Sequence, residues 1–226
     1  MISQNVEAVL EKVESAAKKT GRSLSDITVI GVTKTVEPVR IKELIRAGIT
    51  NIGENRVQEF LPKYEALKDA GCTFHFIGHL QRNKVKFVMD KVEYIHSVDK
   101  LSLASEINSR ANGKKIKIFL EINVAEEPNK IGILPKNAIE FAEKLTEYTY
   151  LDPIGLMCVP PLNENPENSR RYFDLLRQLS IDIKQKIHYY ADMKHLSMGM
   201  SGDFDIAIEE GATMVRIGSR FFGERV

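Results

Sequence analysis

Ile27-Thr28-Val29-Ile30-Gly31-Val32-Thr33-Lys34 is short, apolar and rich in β-branched residues, so it reads as a buried strand over 27–33. A lysine ending such a strand is costly to desolvate unless it has a partner or a task. Before the strand, residues 1–20 form an amphipathic helix pattern with Glu and Lys interspersed. After it comes Pro38 and a short helix over 39–47, with Ile41, Leu44 and Ile45 on one face and Gly48 as its stop.

The alternation continues along the whole chain. Strands are predicted over 50–52, 73–77, 94–96, 116–124, 151–157, 194–197 and 213–217. Helices are predicted over 56–70, 83–90, 100–111, 204–210 and from Pro135 to about Tyr148. Residues 168–187 carry the strongest helical period, with Tyr172, Phe173, Leu176, Leu179 and Ile183 at spacings of three and four. Residues 160–166 hold three prolines and two asparagines and read as a loop. Roughly eight βα units result, the number a closed parallel (β/α)8 TIM-type barrel needs. The expected architecture is therefore one α/β domain over 1–226 with an extra N-terminal helix, and an open doubly wound sheet is the alternative.

Composition narrows the class. The 226 residues are 43% hydrophobic, enough for a substantial core. Lys and Arg total 32 against 31 for Asp and Glu, a net charge of +1, which argues against a nucleic-acid binder relying on a basic surface. Cys72 and Cys158 form no CxxC pair and are expected to be buried free thiols. The N-terminal pattern is not that of a signal peptide, and no apolar run approaches membrane-spanning length, so a cytoplasmic location is expected. No long exposed apolar stripe is evident, and the expected state is a monomer.

The far end of the chain carries the matching chemistry. Leu196-Ser197-Met198-Gly199-Met200-Ser201-Gly202-Asp203 lies between a strand and a helix. Small residues there leave N–H groups free for an anion such as phosphate. Arg216-Ile217-Gly218-Ser219 makes a second small-residue turn. Barrels often hold phosphates in the loops after the seventh and eighth strands. Closure would set the first strand beside the eighth, bringing Lys34 and Arg216 to one mouth. A neutral lysine amine condenses with a carbonyl to form a Schiff base, so a phosphate-bearing aldehyde is the ligand these features suit.

These residues carry a resemblance across essentially the full chain. Gly31 to Lys34, Asn51-Ile52-Gly53-Glu54-Asn55, His75 to Lys84, Gly155-Leu156-Met157, Leu196 to Ser201 and Arg216 to Ser219 resemble the pyridoxal phosphate homeostasis family. The resemblance implies a barrel like the N-terminal domain of alanine racemase, with pyridoxal 5′-phosphate (PLP) held by Lys34 as a Schiff base. It implies that Ser201, Gly218 and Ser219 cradle the phosphate and that Arg216 faces the pyridine nitrogen. Asn55, Ser197 and Met200 match further cofactor-facing positions. The family's proline falls two or three residues after the lysine; here Pro38 stands four after it, which puts the shape of that loop in question.

The implied role is management of cellular PLP as a carrier or buffer, with apo PLP-dependent enzymes as possible recipients and no strong catalysis. Arginine can only donate, so it leaves the ring nitrogen unprotonated and blunts the cofactor as an electron sink. Alanine racemase uses a similar arginine but adds a tyrosine from a separate C-terminal domain of its partner subunit. Here the chain stops at Val226, soon after the last strand, and no such domain is expected. A small PLP-dependent racemase or related one-base enzyme is the runner-up, and a phosphate-binding barrel without PLP the third reading.

Plainer roles compete at single positions. Lys34 read alone is a surface lysine. Asn55 serves equally as a cap for the helix starting at Arg56, and Arg216 as a salt-bridge partner of Glu54. The Ser197–Ser201 run is also compatible with an ordinary βα turn. His75 and His79 lack a third metal ligand nearby and are expected to be structural or pocket-wall histidines. Gln81 to Lys84 suit a solvated helix start, and Lys114, Lys115 and Lys117 a solvated turn.

Overall fold

The β-branched runs pair edge to edge, each parallel to its sequence neighbours. The order is β1 (Thr28–Val32), β2 (Asn51–Glu54), β3 (Thr73–Phe76), β4 (Tyr94–Val98), β5 (Ile116–Ile122), β6 (Leu151–Cys158), β7 (His195–Met200) and β8 (Met214–Ile217). β1 also pairs with β8, with Ile30 beside Arg216, so the sheet closes and the doubly wound alternative is excluded. The computed structural model describes residues 1–162 and 165–223. Part of the predicted 160–166 loop, residues 163–164, thus lies outside the described residues.

Helices α1 (Ile2–Lys19), α2 (Pro38–Arg46), α3 (Val57–Leu67), α4 (Leu101–Ser109), α5 (Ala138–Leu145), α6 (Arg170–Lys186), α7 (Phe204–Glu209) and α8 (Ser219–Phe222) surround the barrel. Most of the buried apolar residues fill the layer between strands and helices, while Ile30, Phe119, Met157 and Met214 form a separate small cluster inside the barrel. The helix predicted over 83–90 is instead a 3-10 segment, Arg82–Phe87. Its buried Val85 and the following Val88 are three residues apart, a spacing that suits three residues per turn.

α8 is only four residues long, too short to cover the seam between β8 and β1. The N-terminal helix takes over that task. α1 buries Ile2, Val6, Val9, Val13, Ala16 and Ala17 on one face and packs against α7, α8 and α2. Asn5 Nδ2 donates to the Phe221 carbonyl at 2.9 Å, and Arg22 donates to the Ala212 carbonyl at 2.8 Å.

A buried ion pair fixes the segment beside Lys34. Glu54, at the end of β2, is fully buried and accepts from Lys63 Nζ of α3 at 2.7 Å and from the Thr33 hydroxyl. Lys63 Nζ also donates to the Thr33 carbonyl at 2.6 Å. One residue beyond Lys34, Thr35 has φ 59° and donates its N–H to Glu59 Oε2 at 2.8 Å. A β-branched residue in this left-handed region is strained, so the turn is held by its contacts and not by local preference. Burial pushes the Glu54 carboxyl above its usual range, opposed by Lys63 and Thr33.

Removing the cation leaves that carboxylate alone in the interior. Lys63→Met is expected to cost about 3 kcal/mol at pH 8 in urea unfolding. The loss should shrink as pH falls, because burial raises the Glu54 carboxyl and makes it easier to protonate; a loss independent of pH would contradict this account of the pair.

Candidate functional site

Alternation along the strands sorts side chains between the helices and the barrel interior. Inward from β5 point Lys117, Phe119 and Glu121; from β8, Met214 and Arg216. At the C-terminal ends of the strands the interior opens into a cavity of about 860 Å³. Its wall includes Lys34, Asn55, Glu121, Met200, Ser201, Arg216, Gly218 and Ser219, and its lip includes Pro161 and Leu162. Seven of the eight sequence-predicted positions therefore converge on one opening.

The eighth, Ser197, does not. It is fully buried below the cavity, where its Oγ accepts from Arg216 Nη1 at 2.7 Å and lies 2.9 Å from His96 Nδ1. It holds the arginine and does not face the opening. The Leu196–Asp203 run also departs from the expected turn, because β7 continues through Met200 and its first half is strand. The register shifts between Ser197 and Met200, and Gly199 takes φ 88°. A Cβ on Gly199 would lie 2.5 Å from that of Ala207, so this bulge needs a residue with none. The turn proper is Ser201–Asp203; there Asp203 Oδ1 accepts from the Met200 N–H at 2.7 Å. The Ser201 hydroxyl accepts from the Gly218 N–H at 3.1 Å and ties the two small-residue turns together.

Lys34 is exposed at the rim. The desolvation cost argued from the buried strand therefore does not arise; position makes it a candidate. Among the described residues its ammonium has neither a hydrogen bond nor an ion pair. Arg216 is buried and anchored, Nη1 on Ser197 and Nη2 on the Cys158 carbonyl at 2.8 Å. Burial lowers its pKa from the usual value, opposed by Cys158, Glu121 and Asp203; an arginine remains a cation under such a shift. Arg216 is not the salt-bridge partner of Glu54, which pairs with Lys63.

Asn55 does not cap α3, whose first turn has no side-chain cap. Its Oδ1 is buried without a partner at the cavity wall. Such an acceptor is costly unless something else supplies a donor. Gly78, just past the end of β3, lets the chain approach closely here, because a Cβ on it would fall 2.2 Å from the Asn55 carbonyl oxygen.

His79 is an exposed residue of the cavity wall and His75 is in the barrel interior. Lys117 is not part of a solvated turn. It lies on β5, with its ammonium 4.9 Å from the Tyr94 ring centroid. Of the two free thiols, Cys158 is buried and Cys72 only partly so.

Sequence reasoning missed Glu121. Burial and the nearby Asp99 push its carboxyl up to about 7, while Arg216 opposes them. The signal was present: Lys117, Phe119 and Glu121 alternate on one face, ending in an acid at the cavity end of a strand. A primary amine, a buried guanidinium and hydroxyl-bearing turns at one opening suit an anionic ligand with a carbonyl to offer.

The alanine racemase N-terminal domain family matches residues 5–226. A pyridoxal phosphate homeostasis protein of Aquifex aeolicus is 47% identical over 224 residues, covering 98% of this chain and 97% of the relative. The chain belongs to the pyridoxal phosphate homeostasis family. A relative of the same name from Escherichia coli K12 is 36% identical over 230 residues, covering 99% of this chain and 97% of its own length. Among solved structures, PipY of Synechococcus elongatus with PLP bound superposes with a TM-score of 0.86 at 28% identity, covering 99% of this chain and all of PipY. The closed barrel with its leading helix is thus the family's fold.

Glu121 yields a prediction about this site. Its folded pKa lies above the ordinary 4.5, so the folded state binds the extra proton and this group's contribution is lost as pH rises from 4.5 through about 7. Glu121→Gln should therefore be more stable than wild type at pH 8, by roughly 1–3 kcal/mol. The advantage should vanish below about pH 4.5; chemical unfolding at the two extremes checks both sign and window.

Proposed function

We propose that this protein binds PLP as a Schiff base on Lys34 and serves PLP homeostasis as a carrier or buffer. The observation that carries the reading is a single cavity presenting the unpartnered Lys34 amine together with anchored Arg216 and the joined Ser201 and Gly218–Ser219 turns. PLP bound in PipY supports it, and so does the buried acceptor of Asn55, which a ligand donor or bridging water would satisfy. PLP supplies an aldehyde for an amine and a conjugated ring that accepts electron density.

The residues divide the work. Lys34 provides the amine. Ser201, Gly218 and Ser219 receive the phosphate, while Met200 and Asn55 bound the ring. Arg216 donates to the ring nitrogen and leaves it unprotonated, which favours holding the cofactor over driving reactions on it. The chain acts as one domain, a cytoplasmic monomer that passes PLP to apo PLP-dependent enzymes. Among the described residues, no helix is long and apolar enough to cross a membrane.

One observation favours the enzymatic alternative. Glu121 faces the same cavity as Lys34 and titrates near neutrality, which gives a second group able to carry a proton. The two readings separate by experiment. Addition of PLP should produce a visible absorption band that borohydride fixes on the Lys34 peptide and that Lys34→Ala abolishes. Labelling spread over many lysines would reject the site. For the carrier, solvent deuterium should not enter amino-acid Cα positions; incorporation that depends on Lys34 and falls in Glu121→Gln would make the protein a racemase-type enzyme instead.

A further inference from the structure

Beneath Arg216 a line of polar side chains crosses the barrel interior. Arg216 Nη1 donates to Ser197 Oγ at 2.7 Å, and Ser197 Oγ lies 2.9 Å from His96 Nδ1. His96 Nε2 lies 3.0 Å from His75 Nδ1, and His75 Nε2 lies 3.0 Å from Asn51 Oδ1. Five residues from five strands therefore form one continuous chain. Stacking fixes both rings: His96 against Phe119 at 4.2 Å, and His75 against Tyr94 at 4.3 Å.

The side-chain oxygen of Asn51 fixes the hydrogens of the two neutral rings. It only accepts, so His75 carries its proton on Nε2 and leaves Nδ1 bare. His96 then donates from Nε2 to His75 Nδ1, which leaves its own Nδ1 bare. Ser197 accepts from Arg216, which has no acceptor, and sends its hydroxyl hydrogen to His96 Nδ1. Every bond thus points one way, from Arg216 to Asn51. A second proton on either ring would break this order, because Ser197 would have to turn its hydroxyl hydrogen away from His96. Cations stand at both ends, Arg216 above and Lys117 over the Tyr94 ring below. Burial lowers the pKa of His75 to about 3 and that of His96 well below its usual value.

We propose that the Ser197–His96–His75–Asn51 chain is a positioning relay that locks the Arg216 guanidinium in one orientation, with its remaining N–H edge presented to the cavity. The relay gives the site its preference for a ligand with an unprotonated ring acceptor; this second statement rests on the PLP reading above. Ser197, His96, His75 and Asn51 are positioning residues, since none of them is required to touch the ligand.

Nitrogen NMR of the ligand-free protein tests the lock directly. Both histidines should remain neutral, with the proton on Nε2, from about pH 5 to 8, and Arg216 should show separate Nη signals from restricted rotation. Ser197→Ala should merge those signals. In the PLP-loaded protein, Ser197→Ala and His96→Phe should weaken PLP retention about tenfold, the effect of one lost hydrogen bond to a charged group. His96→Gln, which offers an oxygen to Ser197 and an N–H to His75, should restore most of it. An Nδ1–H tautomer or a charged ring would overturn the relay, as would Arg216 signals and PLP retention both unmoved by Ser197→Ala. If His96→Phe does not fold, Ser197→Ala and the tautomer measurement decide. Failure to trap PLP on wild-type Lys34 would count against the PLP reading, and the NMR of the ligand-free protein alone would then judge the relay.

Discussion

Closure of β1 on β8 is the constraint from which the site follows. The β1–β8 ladder sets Ile30 beside Arg216, and Lys34 then leaves β1 at the end where Arg216 and the Gly218–Ser219 turn leave β8. Groups from opposite ends of the sequence thereby share one cavity without a long loop to carry either. The seam would expose apolar residues if only the four-residue α8 covered it; α1 protects it. The extra helix thus acts on the site through the joint that creates it.

The interior spends stability on geometry. A barrel of this size is usually filled with branched aliphatic side chains, and here Ile30, Phe119, Met157 and Met214 supply only part of the filling. Two imidazoles, a serine and an asparagine occupy much of the rest, beside the inward Lys117, Glu121 and Arg216. Buried polar groups are costly unless bonded, and each member of the relay beneath Arg216 is bonded to the next. On the other side of the sheet, Glu54 and Lys63 use a buried charge pair to fix the residue before Lys34. Both networks hold backbone or side chains that border the cavity.

Much of this was legible in the sequence because it was local. Strand β1, the period of α6 and the small-residue turns announce themselves within a few positions. Every strand was found to within a few residues, and the count of eight led to a closed barrel. What was not legible depends on register. Asn51, His75, His96 and Ser197 look unrelated along the chain, and only the interior alternation of five strands brings them together. Ser197 matched a cofactor-facing position only through the family resemblance, and in the fold it lies beneath the cavity, bonded to Arg216. Lys34 looked buried because its strand is buried, while the barrel rim leaves it exposed. Glu121 was overlooked as one acid among many, although its strand was correctly placed.

The most direct measurement is a crystal structure of the protein grown with PLP. The account predicts continuous density from Lys34 Nζ into the cofactor, phosphate against Ser201, Gly218 and Ser219, and the Arg216 guanidinium facing the ring nitrogen. Density for PLP elsewhere on the surface, or a cofactor in the cavity not joined to Lys34 under non-reducing conditions, would contradict it.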